Sequence, residues 1–106
     1  MRAIDAAMSD SIQDNLRRVQ DRIGSAAIAA GLSPFGLGTD LAISVRGPAA
    51  HTGIVSLKPT HGRIPMTGVW PRAPRRDWHV GPMARTIRDL ALTYPLLAGP
   101  DGLDVV

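Results

Sequence analysis

The sequence contains no cysteine, no glutamate and a single lysine, Lys58. Without cysteine, the chain cannot form disulfides, use a thiolate nucleophile or bind metal through sulfur. Its three histidines lack the spacing of a metal site, so we expect no metal and no cofactor. Aromatic residues make up 4% of the chain, so the core must consist mainly of Ala, Ile, Leu and Val side chains.

Long apolar runs are also missing. No segment is long enough to span a bilayer, and the first residues show no basic region followed by an apolar one. We therefore expect no membrane association and no secretory signal, with the cytoplasm as the default location. A chain of 106 residues forms at most one domain with a modest core.

The net charge of +3 is carried almost entirely by arginine. Several arginines lie close to Trp70 and Trp78, within residues 66–78, a stretch whose prolines are typical of a surface loop. Clustered arginine beside tryptophan is one pattern of a nucleic-acid interface. Because no nucleic-acid-binding motif accompanies the charge, we favour a solvated loop and keep weak nucleic-acid binding as an alternative.

Apolar residues recur every three or four positions over residues 3–23, which predicts an amphipathic helix. The positions of this stripe are Ile4, Met8, Ile12, Leu16, Val19 and Ile23. We favour a helix that packs on its own domain; the alternative is an interaction module that binds a partner or a second copy. Residues 1–23 are therefore treated as a region separate from residues 24–106.

The remaining elements alternate between strand and helix, which indicates the α/β class. Helices are predicted over residues 24–31, with Gly31 as the C-cap, from Ser44 onward, and over residues 87–97, with Thr86 as the N-cap. Strands are predicted over residues 35–38 and 54–57, and a short third one over residues 62–65. Pro59 and Gly99-Pro100 are the stop signals.

The segment from Gly36 to Pro48, GLGTDLAISVRGP, crowds small residues around one serine, Ser44. Glycine lets backbone N–H groups approach a ligand closely, so such a turn can form an anion pocket behind a nucleophile. The same composition is also typical of an ordinary connection between a strand and a helix.

The run from Ala26 to Pro59, AAIAAGLSPFGLGTDLAISVRGPAAHTGIVSLKP, resembles the amidase signature family of serine amide hydrolases. The later run HVGPMARTIRDLALTYPLLAGPDGLD is similar to the next signature of that family. The resemblance implies amide (C–N) bond hydrolysis. It also implies that residues 24–106 form part of the family's mixed sheet flanked by helices.

By this resemblance Ser44 occupies the nucleophile position. The turn whose backbone N–H groups would form the oxyanion hole is Leu41, Ala42 and Ile43. Asp40 and Arg46 match the acid and the arginine of the motif, and we expect them to support the turn. The family has Gly-Gly where Ala42 and Ile43 stand, so we expect a distorted oxyanion turn.

The family activates its nucleophile with a second serine and a lysine, and this sequence supplies neither. Alignment puts Gln20 or Asp21 at the position of the second serine. Lys58 lies downstream of Ser44, in the segment SLKPT, whereas the catalytic lysine belongs upstream. The alternative bases for Ser44 are the three histidines, oriented by Asp40 or Asp77. They are His51, His61 and His79.

We therefore expect an amidase-like polypeptide, truncated relative to the family and inactive alone, in the manner of a pseudoenzyme. Its expected partners are a small amide substrate, a second copy of the chain or a complementary amidase fragment. Strands that longer relatives cover on both faces would otherwise expose apolar surface, so we expect the isolated chain to self-associate or to unfold partially.

Overall fold

The computed structural model describes residues 15–16, 19–70 and 77–104. Helix α1 takes in residues 15–16 and 19–29, and strand β1 spans Phe35–Asp40. The elements that follow are α2 (Arg46–Thr52), β2 (Val55–Ser56), β3 (His79–Ala84) and α3 (Ile87–Leu97). This alternation confirms the α/β class. None of the helices in the described parts of the chain is long and apolar enough to cross a membrane.

The three strands form one sheet in the order β1-β3-β2, and both pairings are antiparallel. Strand β1 pairs with β3 along its whole length, from Phe35 opposite Ala84 to Asp40 opposite His79. The short β2 continues the sheet on the other side of β3. The last strand in the chain is therefore the central strand of the sheet.

No strand was predicted over residues 79–84, where Gly81 and Pro82 are residues that strands generally disfavour. The structure explains both residues. Gly81 lies opposite Gly38, and a Cβ atom at Gly81 would lie 2.5 Å from the Leu57 carbonyl oxygen. Pro82 has no N–H to donate, but its carbonyl accepts a hydrogen bond of 3.0 Å from the Leu57 amide. The small glycine lets the chain after β2 approach β3 closely.

Local capping signals predicted the other elements well. Gly31 ends α1 with a φ of 78°. Helix α3 spans the predicted residues, and the Thr86 hydroxyl accepts a hydrogen bond from the Asp89 amide at 3.1 Å. The predicted strand at residues 62–65 is wrong, because those residues form turns and bends after β2.

Helix α1 packs on the sheet through a different face from the one that its apolar stripe predicts. Its inward residues are Asp21, Ser25 and Ile28, exposed by 7%, 0% and 1%. The apolar residues Leu16, Val19 and Ile23 are exposed by 58%, 51% and 63%. The rest of the predicted stripe, residues 3–14, lies outside the described residues.

A small apolar core joins α1, α2 and the central strand. Its buried members are Ile28, Val45, Ala49, Ile54 and Met83. Of the predicted arginine-rich loop, residues 66–70 and Asp77 and Trp78 are described and have no regular secondary structure. Residues 71–76, which hold three of its arginines, lie outside the described residues, so the nucleic-acid alternative stays a prediction.

We expect Gly81→Ala to lower the free energy of unfolding by about 1–3 kcal/mol or more, because the new Cβ would overlap a backbone carbonyl that cannot move freely. Gly24→Ala is the matched control. A Cβ at Gly24 would lie 3.9 Å from the Met83 methyl carbon, in ordinary contact, and alanine favours the helix by about 0.5–1 kcal/mol. Urea unfolding, monitored by circular dichroism, measures the stability of both variants. Equal urea midpoints for the two variants would contradict the close approach of Leu57 to β3.

Candidate functional site

The turn between β1 and α2 is built on the carboxylate of Asp40, the last residue of β1. This side chain is completely buried. Its Oδ2 atom accepts hydrogen bonds from the backbone amides of Val45 and Arg46, each at 3.3 Å. A carboxylate that accepts bonds from residues five and six positions ahead draws the chain back on itself. The connection between β1 and α2 is consequently a tight turn.

Two cations surround the same carboxylate. The Arg46 Nε atom lies 3.0 Å from Asp40 Oδ2, and its Nη2 atom lies 3.2 Å from Oδ1. On the other side, the Lys58 ammonium lies 3.4 Å from Asp40 Oδ1. This two-pronged arginine contact is among the stronger arrangements for an ion pair. Asp40 and Arg46 thus join the two ends of the turn by an ion pair and hydrogen bonds.

The two cations also hold the backbone carbonyls of the turn. Lys58 Nζ donates to the Leu41 carbonyl oxygen at 2.7 Å, and Arg46 Nη2 donates to the Ala42 carbonyl oxygen. In a trans peptide the carbonyl and the following N–H point in opposite directions. The amides of Ala42 and Ile43 are therefore directed away from the two cations. Within the described parts of the chain, neither amide donates a hydrogen bond to a protein acceptor.

Burial and the bonded partners of Asp40 shift its pKa in opposite directions. Burial by itself would raise the pKa of the carboxyl. Hydrogen bonds from the Arg46 side chain and backbone, with the charges of Arg46 and Lys58, outweigh burial and hold the pKa below its ordinary value. The ionised form of Asp40 is thus the form that stabilises the turn.

Ala42 and Ile43 fit this turn without the backbone conformation that favours glycine. Among the described residues, every positive φ angle belongs to a glycine. Ile43 is exposed by 61%, and a Cβ atom at Gly47 would lie 3.3 Å from its side chain. Neither Ala42 nor Ile43 has a left-handed backbone. These two positions, where the family has Gly-Gly, therefore do not require glycine in this structure.

Ser44 lies on the wall of an open cleft with a volume of about 770 Å³. The cleft is lined by α1, the turn and α2, through Arg22, Ser25, Ala42, Ile43, Ser44, Gly47, Pro48, His51 and Thr52. The Ser44 side chain is partly exposed, and it forms no hydrogen bond with another group in the part of the chain that the structure describes. A hydroxyl without a neighbouring base is a weak nucleophile.

The candidate bases are placed in different surroundings. His51 lines the same cleft as Ser44, in the last turn of α2. His61 and His79 contact each other instead, with ring centroids 5.3 Å apart and ring planes at 86°. The His79 Nδ1 atom lies 3.1 Å from the Asp77 carbonyl oxygen, and burial is the main cause that lowers the pKa of His79.

The two residues predicted to stand at the position of the family's second serine, Gln20 and Asp21, lie on α1. Gln20 is exposed and Asp21 is buried against β1, where a Cβ atom at Gly38 would lie 2.5 Å from Asp21 Oδ1. The buried Ser25 hydroxyl donates to the Arg22 carbonyl oxygen at 3.0 Å. Sequence reasoning missed the structural role of Lys58. The signal was its position two residues after β2, which brings it alongside the turn.

The family model named Amidase matches residues 24–105. Over 80 residues, or 76% of this chain, the sequence is 51% identical to the A subunit of glutamyl-tRNA(Gln) amidotransferase from Thermus thermophilus. Those residues span 17% of the length of that relative, so the chain matches a small part of it.

Two solved structures superpose on 77% of this chain. An amidase family protein from Bacillus anthracis str. Ames gives a TM-score of 0.70 at 36% identity, over 16% of that protein. The structure of 6-aminohexanoate cyclic dimer hydrolase complexed with substrate gives a TM-score of 0.68 at 37% identity, over 17% of that chain.

We expect Asp40→Asn to lower the free energy of unfolding at pH 7 by about 2–4 kcal/mol, because two cations and two amides would lose their carboxylate. Because the folded-state pKa is below the ordinary value, this stabilisation is present above about pH 4 and is lost as the pH falls through the folded pKa. The difference in the free energy of unfolding between the variant and the parent protein should therefore decrease as the pH falls below about 4. Urea unfolding at a series of pH values measures it, and a difference that stays constant down to pH 2 would contradict the role of the charge. Arg46→Lys should cost less, since it keeps the charge and loses the two-pronged contact.

Proposed function

Because the chain belongs to the amidase family, we propose that it carries the nucleophile segment of an amide hydrolase, with Ser44 as the nucleophile. The observation that carries this proposal is the orientation of the turn before Ser44. Lys58 and Arg46 hold two successive carbonyls on one side, which leaves the following amides directed to the other side. Amides arranged in this way can receive an oxyanion.

In the proposed chemistry, the Ser44 Oγ attacks the carbonyl carbon of an amide, and the electron pair of the C=O bond moves onto the oxygen. The amides of Ala42 and Ile43, with Leu41 completing the turn, stabilise that oxyanion. Its collapse breaks the C–N bond and leaves an acyl group on Ser44, and water then releases the acid. Acylation needs two proton transfers: one removes the Ser44 proton, and one protonates the departing amine. Deacylation needs two more: one removes a proton from the attacking water, and one returns a proton to the Ser44 Oγ as the acid leaves.

The proton-transfer partners are what this chain lacks. Lys58 donates to the Leu41 carbonyl and pairs with Asp40, which accounts for its position as a support of the turn. No serine stands at the position that corresponds to the family's second serine. We therefore infer that the chain alone is an amidase-like protein without turnover.

A small amide is the proposed ligand of the cleft beside Ser44, where Arg22, His51 and Thr52 supply polar groups. A polypeptide that brings a lysine and a second serine would complete the site. One relative is the A subunit of an amidotransferase, which supports the idea that this fold works beside other chains. A second candidate function, an interaction module, is supported by the exposed apolar residues of α1.

We expect a fluorophosphonate probe to label Ser44 slowly, because the hydroxyl is accessible from the cleft but is hydrogen-bonded to no base in the described part of the chain. Peptide mapping by mass spectrometry should place the label on Ser44, and Ser44→Ala should abolish it. Ser33→Ala is the matched control, since Ser33 is partly exposed, like Ser44, and donates a hydrogen bond to the Phe35 carbonyl oxygen outside the cleft. Label on Ser33 or Ser56 would contradict the assignment.

We also expect no hydrolysis of simple amides above the level of the Ser44→Ala variant. Loss of the base from a serine hydrolase costs on the order of 10⁴-fold or more in kcat. Release of p-nitroaniline from small acyl anilides measures the rate. Turnover that Ser44→Ala and Lys58→Ala both abolish, in variants shown to be folded, would mean that Lys58 serves as the base.

A further inference from the structure

His79, the first residue of β3, is a buried histidine that the proposed chemistry does not use, with 9% of its surface exposed. Its Nδ1 atom lies 3.1 Å from the Asp77 carbonyl oxygen. Because a carbonyl oxygen can only accept a hydrogen bond, Nδ1 carries the hydrogen, and the neutral ring keeps its lone pair on Nε2. Nε2 is shielded from solvent and has no hydrogen-bond partner in the described part of the chain. A proton taken up by His79 would therefore be placed on a buried nitrogen that lacks an acceptor.

The segment after β2 places further positive charge beside His79. The rings of His61 and His79 are in edge-to-face contact, with centroids 5.3 Å apart. Burial is the main cause that lowers the pKa of His79, and the charges of Lys58 and His61 lower it further. Asp77 acts in the opposite direction, through its carbonyl and its charge, but does not outweigh them. We call Lys58, His61, Asp77 and His79 the histidine cluster.

On β1, the residue opposite His79 is Asp40. Its carboxylate is already bound by the Arg46 guanidinium at 3.0 Å, and it lies 3.4 Å from the Lys58 ammonium. One carboxylate thus faces two cations before His79 takes up a proton. A third positive charge would have no carboxylate of its own at the turn, and like charges repel each other more strongly in a partly buried region than in water.

The other titratable groups on this face of the sheet come from α1 and α2. Asp21 of α1 lies against Gly38, since a Cβ atom at Gly38 would be 2.5 Å from the Asp21 Oδ1 atom. His51 of α2 lines the cleft. Helix α3 lies on the opposite face at this end of β3, because its last two residues line a groove with Val80, and successive residues of a strand point to opposite faces. The charges that act on His79 are therefore those of the histidine cluster.

Lys58 joins the histidine cluster to the turn before Ser44. Its ammonium, whose charge acts on His79, donates to the Leu41 carbonyl oxygen at 2.7 Å. Repulsion from a protonated His79 would push the ammonium away from this carbonyl. Because the Leu41 carbonyl and the Ala42 amide belong to one planar peptide group, a change at the carbonyl also turns the amide.

We propose that the histidine cluster is an acid-sensitive switch for the turn before Ser44: in mildly acidic solution, a charge on His79 displaces Lys58 and weakens its bond to Leu41. At neutral pH the His79 ring is neutral and Lys58 holds the turn. The effect on an oxyanion rests on the proposed function, whereas the switch itself is a property of the fold and needs no reaction at Ser44.

The direction of the pH dependence follows from the burial of His79. Because its folded-state pKa lies below the ordinary value of 6.5, the folded chain binds this proton less readily than the unfolded chain does. The stabilisation is complete above about pH 6.5, and it is lost as the pH falls from there through the folded-state pKa. The pKa of Asp40 is below 3.8, so Asp40 stays ionised in this range and its own contribution is lost only at lower pH.

Urea unfolding of the full chain from about pH 5 to about pH 8 tests the switch. We expect the folding equilibrium constant to decrease below about pH 6.5, by up to about tenfold per pH unit. His79→Asn should flatten this dependence, because an amide can donate to the Asp77 carbonyl but takes up no proton. His51→Asn is the matched control, since it removes a histidine from the cleft and should keep the dependence. An unchanged pH dependence in His79→Asn, or its loss in His51→Asn, would overturn the proposal.

An NMR titration of the parent chain measures the coupling directly and needs no substitution in β3. We expect the His79 ring to titrate below about pH 6.5, and the Ala42 amide signal to shift with the same midpoint. His61→Asn should raise that midpoint, because it removes a charge that opposes the proton on His79. Fluorophosphonate labelling of Ser44 is measured separately, so failure of the switch and failure of the nucleophile assignment give different results. A His79 midpoint at or above about 6.5, or an Ala42 amide that does not follow it, would refute the switch.

Discussion

The buried carboxylate of Asp40 is the group on which the site depends, because three separate parts of the chain meet there. It ends β1, accepts the first amides of α2, and binds one cation from α2 and another from the segment after β2. A buried carboxylate is costly unless each of its oxygens finds a partner. Here both oxygens have partners, and those partners reach Asp40 only when the turn is folded. Folding of the turn therefore also neutralises the buried charge.

The two cations that neutralise Asp40 also hold the backbone of the turn before Ser44. By holding the carbonyls of Leu41 and Ala42, they fix the backbone dipoles before Ser44. Backbone orientation of this kind needs no ionisable side chain in the cleft. The sole lysine of the sequence is engaged at the turn, whereas His51 lines the cleft beside Ser44. The charged residues that orient the turn, Asp40, Arg46 and Lys58, are thus distinct from the residues that line the cleft.

The sequence predicted the helix ends well, because residues close in sequence determine them. The cap at Thr86 and the Gly-Pro pair after residue 98 predicted both ends of α3, because each signal acts within one turn of the helix end. Strand β3 was missed because Gly81 makes sense only once Leu57 is known to lie against it. The packing face of α1 was also missed. Periodicity identifies the apolar face of a helix. Here, however, Asp21 and Ser25 pack against the sheet, and the residues that they contact are distant in sequence. The packing face therefore could not be predicted from the helix alone.

The central place of β3 has a consequence for the order of folding. On a ribosome, β1, the turn and α2 emerge well before the strand from His79 to Ala84, to which both other strands are hydrogen-bonded. Until β3 is present, β1 and β2 lack the strand with which each pairs. Closing the long connection between β2 and β3 also costs chain entropy before any sheet hydrogen bond can form. The nascent chain therefore passes through a stage with open strand edges, when it is most exposed to misassembly with other chains.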